Sequence, residues 1–469
     1  MALDRLFHPE SVAFVGFTLN PRDWGSSTVP AGFLDFGFTG KFYLVSRSGK
    51  SKAGVKSFTS LSEVPGTVDF VVCNVPARAV NDVLGECATK GVRFVHIMTS
   101  GFSETGSDEG RQLEAELLET ARSNGIHLVG PNCPGIFCSE ARIAFSSTLP
   151  MEKGGVGWFA QSGGHLIRFM QMAGSRGVRF SKAVGIGNAI DLDANSFMEY
   201  FSRDEETKII CCYVEGLKDG RRFLSLAEEA SRAKPVIILK GGTTVAGARA
   251  AVSHTGSMAG DDLLWDALCN QAGIVRVYSI DEMVDTILPF VFLPPLRGRN
   301  VAVLGYGGGI GVQAADDCER AGLRVPPLPA EIKDRLASFT PAPNNSVKNP
   351  VDSMHLVFSQ NDWIETVQLA SSWEVIDLVI FLLPVDMIPV WLFDVLEDMV
   401  SNIIASSRVC AKPAAVVLHD TNSPGIPADV PAARKRLIDA GFPVFGNVSQ
   451  AAWAISRCLN YYGERKRHS

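Results

Sequence analysis

The sequence lacks a CxxC pair. Its ten cysteines include the neighbours Cys211 and Cys212 and the pair Cys133 and Cys138, yet no histidines follow at the spacing of a zinc site. Structural zinc is thereby set aside, and the thiols are expected to be reduced and mostly buried. A long uninterrupted apolar run is missing too. The longest stretch, 375–396, carries Asp377, Asp386 and Asp394 together with Pro384 and Pro389. Burying those charges in a bilayer would be costly, so no membrane span is predicted. Asp4, Arg5, His8 and Glu10 break the first residues before an apolar segment reaches signal-peptide length, which predicts a cytoplasmic chain. Positive charge is not in excess. With 44 Lys+Arg against 50 Asp+Glu, a net charge of −6 and no basic stripe, nucleic acid is not an expected partner. GxxxxGK[ST] is absent, which excludes a P-loop, and no short-period repeat or low-complexity tract is found.

What remains is an ordinary globular balance, 46% hydrophobic and 20% charged. At roughly 150 residues per domain, 469 residues suggest three domains. Ser11-Val-Ala-Phe-Val-Gly16 reads as a buried parallel strand entering a phosphate-facing turn. Strands follow over 41–45, 68–76 and 94–98, helices over 77–90 and 108–124, and a strand over 126–129 closes a first unit near Gly130. A second unit opens at Gly130-Pro-Asn-Cys-Pro-Gly135, with strands over 156–160, 182–184, 209–214 and 236–240. Beyond Pro294, Pro295 and Gly298, Asn300-Val-Ala-Val-Leu-Gly305 restarts the same architecture, with later strands over 375–383, 414–418 and 443–444 and a final helix over 449–462. Alternating strands and helices imply right-handed βαβ crossovers. The expected fold is α/β, three doubly wound parallel-sheet domains over 1–130, 131–296 and 297–469.

Five places are candidates for chemistry. Gly16-Phe-Thr-Leu-Asn-Pro-Arg-Asp-Trp-Gly25 is a loop after a strand, where backbone N–H groups and a helix N-terminus can hold phosphate; a plain strand-to-helix turn would read the same way. Gly305-Tyr-Gly-Gly-Gly-Ile-Gly311 is richer in glycine, but no charged residue or Ser/Thr hydroxyl supports a phosphate site there, and tight packing of a helix on a sheet accounts for it better. In Ala248-Arg-Ala-Ala-Val-Ser-His-Thr-Gly-Ser-Met-Ala-Gly260, His254 sits among small residues before a helical pattern over 261–271, an arrangement that suits a histidine carrying a phosphoryl group as well as one capping a helix. Ala160-Gln-Ser-Gly-Gly164 ends a strand and begins a helix, so Ser162 and the following amides face the carboxyl edge of the sheet. Alanine at 160 departs from GxSxG, and the fragment alone does not separate a hydrolase from a phosphate site. Glu215 follows the strand over 209–214, where a carboxylate can fix a histidine tautomer or simply end a strand.

Taken together, the chain resembles the NDP-forming acyl-CoA synthetases, the superfamily of succinyl-CoA synthetase and the ADP-forming acetyl-CoA synthetases, and especially the latter's α subunit. The segments that carry the resemblance are Ser11–Gly16, Val75-Pro-Ala77, Thr99-Ser-Gly-Phe102, Gly130–Gly135, Gln161-Ser-Gly163, Gly187-Asn188 with Asp191 and Asp193, and Ser253-His-Thr-Gly256. It implies a Rossmann-like CoA-binding domain followed by two flavodoxin-like domains. On that pattern Gly16, Phe17, Thr18, Asn20 and Arg22 lie near the CoA phosphates, and Val75, Pro76, Thr99, Ser100 and Asn132 line its path. His254 matches the phosphorylated histidine, Glu215 the carboxylate that orients it, and Ser162, Gly163, Gly164 and Asn188 the place where phosphate and acyl group meet. The implied reaction interconverts acyl-CoA, phosphate and ADP with a carboxylic acid, CoA and ATP. Only 463–469 follow the third unit, so the resemblance implies a separate ATP-grasp β subunit holding Mg2+ and ADP or ATP, in an αβ or α2β2 assembly.

Departures from the pattern keep other readings in view. Ala189 and Ile190 stand where the family commonly has lysine nearby, and His165, Phe169 and Met170 stand where small or aliphatic residues are usual. A non-catalytic CoA-binding or regulatory protein on the same scaffold is one alternative. A serine hydrolase using Ser162 and His254 is another.

Overall fold

The computed structural model describes residues 3–17, 24–46, 55–249, 262–340, 345–385, 393–419 and 430–468. Among these, eighteen strands form three six-stranded sheets. The first holds β1 (Ser11–Val15), β2 (Lys41–Val45), β3 (Ser57–Phe58), β4 (Phe70–Cys73), β5 (Phe94–Ile97) and β6 (His127–Val129) in the order β3-β2-β1-β4-β5-β6, all parallel. This is the dinucleotide-fold order, whose reversal falls between β1 and β4. Every residue of β1, β4 and β5 is buried, as helices on both faces of a parallel sheet require. Ser11 is tolerated there because its hydroxyl donates to Asp69 Oδ2 at 2.9 Å. Helix ends follow local chemistry. Ser107 caps Asp108–Ser123 by accepting the Gly110 N–H at 3.0 Å, and Ala77–Lys90 stops at Gly91, left-handed at φ 73°.

The second sheet holds β7 (Ile136–Cys138), β8 (Val156–Ala160), β9 (Phe180–Gly185), β10 (Ile209–Val214), β11 (Val236–Lys240) and β12 (Val275–Val277), ordered β12-β11-β10-β8-β9-β7. The third holds β13 (Val301–Gly305), β14 (Ser346–Val347), β15 (Val351–Asp352), β16 (Leu378–Pro384), β17 (Ala414–His419) and β18 (Val444–Phe445), ordered β14-β15-β13-β16-β17-β18. With the antiparallel edge strands β7 and β14 set apart, both sheets have the flavodoxin order. The expected doubly wound α/β class holds for all three. The strands that sequence reading passed over are β3, β7, β12, β14 and β15, of two or three residues each, too short to show a period.

The chain divides into two compact units, Met1–Ile280 with the first two sheets and Asp281–Ser469 with the third. In the first, Ala13, Val71, Val95 and Leu128 lie in a core fully closed to solvent. In the second, Leu304, Val379, Phe381 and Val416 do the same. All ten cysteines are free thiols and all but Cys410 are buried. Among the charged residues buried in the interior, Lys182 on β9 is 1% exposed, with Nζ 2.9 Å from Asp204 and 3.1 Å from Glu206. Among the described residues no helix is long and apolar enough to cross a membrane.

Candidate functional site

The nominated residues that the structure describes gather at the carboxyl edges of the first two sheets. At the end of β1, Gly16 has φ +82° and its N–H donates to Val45 O at 3.0 Å, while an added Cβ would lie 2.5 Å from Asn74 O. Only glycine fits so tight an approach at the strand-order reversal. Phe17 is buried edge-on against Phe14, 5.8 Å between centroids, so its ring packs the core. Thr18, Asn20 and Arg22 lie outside the described residues. Thr99 is buried and its hydroxyl donates to Val75 O at 2.6 Å, tying the β4 and β5 turns together; Pro76 and Ser100 are exposed. Beside them an open groove of about 400 Å³ is lined by Pro76, Ala77, Arg78, Gly101 and Thr105. Asn132 takes a left-handed φ of 59° and donates its N–H to Thr99 O at 3.0 Å.

Asn188 links the two sheets. Its amide donates to Glu104 Oε2 at 2.6 Å and to Glu114 Oε2 at 2.9 Å, and Asn132 Nδ2 lies 3.5 Å from its oxygen. Glu104 in turn accepts the N–H groups of Gly101 at 2.6 Å and Phe102 at 3.2 Å. Burial pushes the Glu104 carboxyl up, but the bonds from Asn188 and that turn outweigh it and hold it below the usual range. The next residue, Ala189, is left-handed at φ 52°, a conformation rare for a residue with a Cβ. Its carbonyl accepts Lys218 Nζ at 2.7 Å, and that of Ile190 does so at 3.1 Å.

In the second sheet the strand order reverses between β8 and β10, and the residues that follow these strands are Gln161-Ser162 and Glu215. Ser162 caps the Gly163–Ser175 helix, its Oγ 3.4 Å from the His165 backbone N. A Cβ on Gly163 would press on Pro134 at 3.0 Å, whereas Gly164 is exposed. Glu215 is 5% exposed. Its carboxylate accepts the Tyr213 hydroxyl at 3.0 Å, its N–H and that of Gly216 donate to Gln161 Oε1, and its carbonyl accepts Lys240 Nζ at 2.7 Å. Burial, and after it the Glu215 charge, raise the Tyr213 phenol well above its ordinary value. The edge thus presents two N-terminal helix amides, a hydroxyl and a carboxylate, the donor and acceptor set that a phosphoryl group and an imidazole need. His254 lies outside the described residues.

Residues 10–139 match the model of a CoA binding domain, and 153–289 that of a succinyl-CoA ligase like flavodoxin domain. Over 379 residues the chain is 37% identical to acetate–CoA ligase [ADP-forming] II subunit alpha of Pyrococcus furiosus, covering 81% of each. The chain belongs to the ADP-forming acyl-CoA synthetases. It is accordingly a chain of an acid–thiol ligase. The corresponding I subunit alpha of Pyrococcus furiosus is 39% identical over 357 residues, 75% of this chain and 76% of that one. Against acetate–CoA ligase [ADP-forming] II of Archaeoglobus fulgidus, 37% identity covers 75% of this chain and 52% of that protein. A solved structure of a dinucleotide forming acetyl-coenzyme A synthetase 1 from Ca. Korarchaeum cryptofilum, in complex with phosphate and ADP, superposes with a TM-score of 0.84 at 29% identity, covering 99% of this chain and 98% of that one.

Residue-by-residue reading of this synthetase chain missed Tyr213, Glu104, Glu114 and Lys218. The last three are ordinary surface types in sequence, and only the turn after β5, the helix Asp108–Ser123 and the turn after β10 bring them to Asn188, Ala189 and Ile190. Gln161 stood within a quoted motif, but nothing in the motif says that its side chain reaches two N–H groups of the neighbouring strand end.

Proposed function

We propose that this chain is the α subunit of an ADP-forming acyl-CoA synthetase that interconverts acyl-CoA, phosphate and ADP with a carboxylic acid, CoA and ATP. The observation that carries the reading is the placement of Ser162 and Glu215 on either side of the β8/β10 reversal, in a chain 37% identical to an acetate–CoA ligase α subunit. Three transfers suffice. A phosphate oxygen attacks the thioester carbonyl and the CoA thiolate leaves, giving an acyl phosphate. Neutral His254 attacks phosphorus and releases the carboxylate. The phosphohistidine then passes its phosphoryl group to ADP. Glu215 orients His254, while the amides of Gly163 and Gly164 and the Ser162 hydroxyl stabilise charge on the moving group. Asn188 enters by holding the Gly101 turn rather than through an open amide, since both of its N–H donors already meet carboxylates.

CoA fits the first sheet. The close approach at Gly16 and the groove beside Pro76 and Gly101 leave backbone and space where a pyrophosphate and a pantetheine arm run, and Gly16, Phe17, Thr18, Asn20, Arg22, Val75, Pro76, Thr99, Ser100 and Asn132 remain the proposed CoA segment. The match to only half of the Archaeoglobus protein supports a second chain, an ATP-grasp β subunit that holds Mg2+ and ADP, in an αβ or α2β2 assembly in the cytoplasm. The domain division at 130 and 296 is kept as part of the proposal. The test mixes the chain with an ATP-grasp partner, CoA, Mg2+ and labelled ATP. Acid-labile, base-stable label on the protein is expected and should vanish in His254→Ala; label retained in that variant rejects the assignment.

A further inference from the structure

Building on that reading, we propose that His165 is a positioning residue for the phosphate step. Its imidazole donates from Nδ1 to Ser162, so that the serine proton points outward to an oxygen of phosphate or acyl phosphate. The His165 Nδ1 lies 3.0 Å from Ser162 Oγ, and the His165 backbone N lies 3.4 Å from the same atom. A hydroxyl has two lone pairs and one proton. With both lone pairs taken by the backbone N–H and Nδ1–H, the proton is left for a ligand at the carboxyl edge, where the first helix amides also point. The opposite tautomer would draw the serine proton into Nδ1 and withdraw it from the substrate.

The ring is held for this task. It stacks on Tyr213 at 4.4 Å between centroids and 6° between planes. Tyr213 bonds Glu215, and Glu215 and Gly216 bond Gln161, the residue before Ser162. The circuit Ser162, His165, Tyr213, Glu215, Gln161 therefore closes on itself and joins the carboxylate assigned to His254 to the hydroxyl assigned to phosphate. The charged and titratable groups facing the ring, among the described residues, are Glu215 and Tyr213 from the β10 side and Arg168 on its own helix. Burial lowers the imidazole pKa, Glu215 pushes it back up and Arg168 lowers it again; it stays below its ordinary 6.5. His165 is therefore neutral at pH 7. It gains charge in acid without losing its Nδ1–H.

The experiment is calorimetric titration of the full chain with inorganic phosphate, and with sulfate across pH because sulfate stays a dianion. His165→Asn places an N–H near Nδ1 and should bind phosphate within about threefold of wild type. His165→Gln, whose amide reaches the Nε2 position, and His165→Phe, which keeps the stack, should each bind about tenfold more weakly, the size of one hydrogen bond to an anion. Sulfate binding should tighten as pH falls through the lowered His165 value in wild type and not in His165→Asn. With the partner present, His165→Phe should raise the KM for phosphate about tenfold with kcat little changed and leave labelling of His254 from ATP intact. Wild-type phosphate affinity in His165→Phe, rescue by glutamine but not asparagine, no phosphate binding by wild type, or labelling of Ser162 by a serine-reactive phosphonate would each overturn the proposal. Loss of the phosphohistidine assignment alone would appear as label surviving in His254→Ala while phosphate affinity still follows His165.

Discussion

The second and third sheets share a strand order but furnish its reversal point in opposite ways. In the second, β8 runs into Ser162, whose side chain caps the next helix, and the carboxylate Glu215 follows β10. In the third, β13 runs into Gly307 at φ +106°, with no side-chain cap on the Gly308–Arg320 helix, and Asp352 at the end of β15 accepts the Gly307 N–H at 2.7 Å. Asn349 adds a scaffold role, its amide pairing with Val303 N–H at 2.9 Å and Val301 O at 2.7 Å as a neighbouring strand would. Topology decides where a ligand can sit, and the side chains at that point decide whether the edge offers groups to a ligand or spends them on its own backbone.

The comparison can be broken most strongly at the two carboxylates. Glu215→Gln should lower turnover of the assembled enzyme about a hundredfold or more, as expected when the carboxylate that holds a reacting imidazole in its tautomer is lost, whereas Asp352→Asn should cost less than about tenfold; equal losses would mean that both edges serve the chemistry. Next comes stability. Lys182→Met leaves Asp204 and Glu206 without their buried cation and should destabilise the first unit by about 3 kcal/mol, read as a lowered denaturation midpoint, with no effect on hydrogen exchange in the third sheet. Smaller is the effect of adding a methyl group at Gly307: Gly307→Ala forces a left-handed alanine and should cost about 1–2 kcal/mol, slightly more than the cap lost in Ser162→Ala, about 1 kcal/mol.

Acid sharpens the same contrast. Glu104, held below its ordinary 4.5, adds stability that is present above that pH and lost as pH falls through the lowered value. Asp352 is raised above its ordinary 3.8 by burial, which outweighs the Gly307 N–H. Its charge therefore works against the fold, and the third sheet loses stability as pH rises through the raised value. Hydrogen exchange between pH 3 and 6 should show the turn at Gly101 opening toward acid and the β15 end protected by it.

Long buried strands such as 209–214 and 236–240 were legible because unbroken apolar runs ending in glycine or a polar turn have few other solutions. So were Ser162 and Glu215, since each follows such a run. Phe17 was read toward CoA because it follows Gly16, but its ring turns inward onto Phe14, which a one-dimensional pattern does not reveal. Asn188 was placed by the resemblance where phosphate and acyl group meet; in the structure its amide meets Glu104 and Glu114, 84 and 74 residues away in sequence on the turn and helix that follow β5. Contacts of that separation leave no periodic trace.

The carboxamide of Asn188 also bears on how such proteins can be recombined. A chimera that joined the CoA-binding domain of one relative to the succinyl-CoA ligase like flavodoxin domain of another would be soundly riveted only if Glu104 and Glu114 travelled with their asparagine. Grafts cut near Gly130 that ignore the trio would inherit two sound modules and a loose seam.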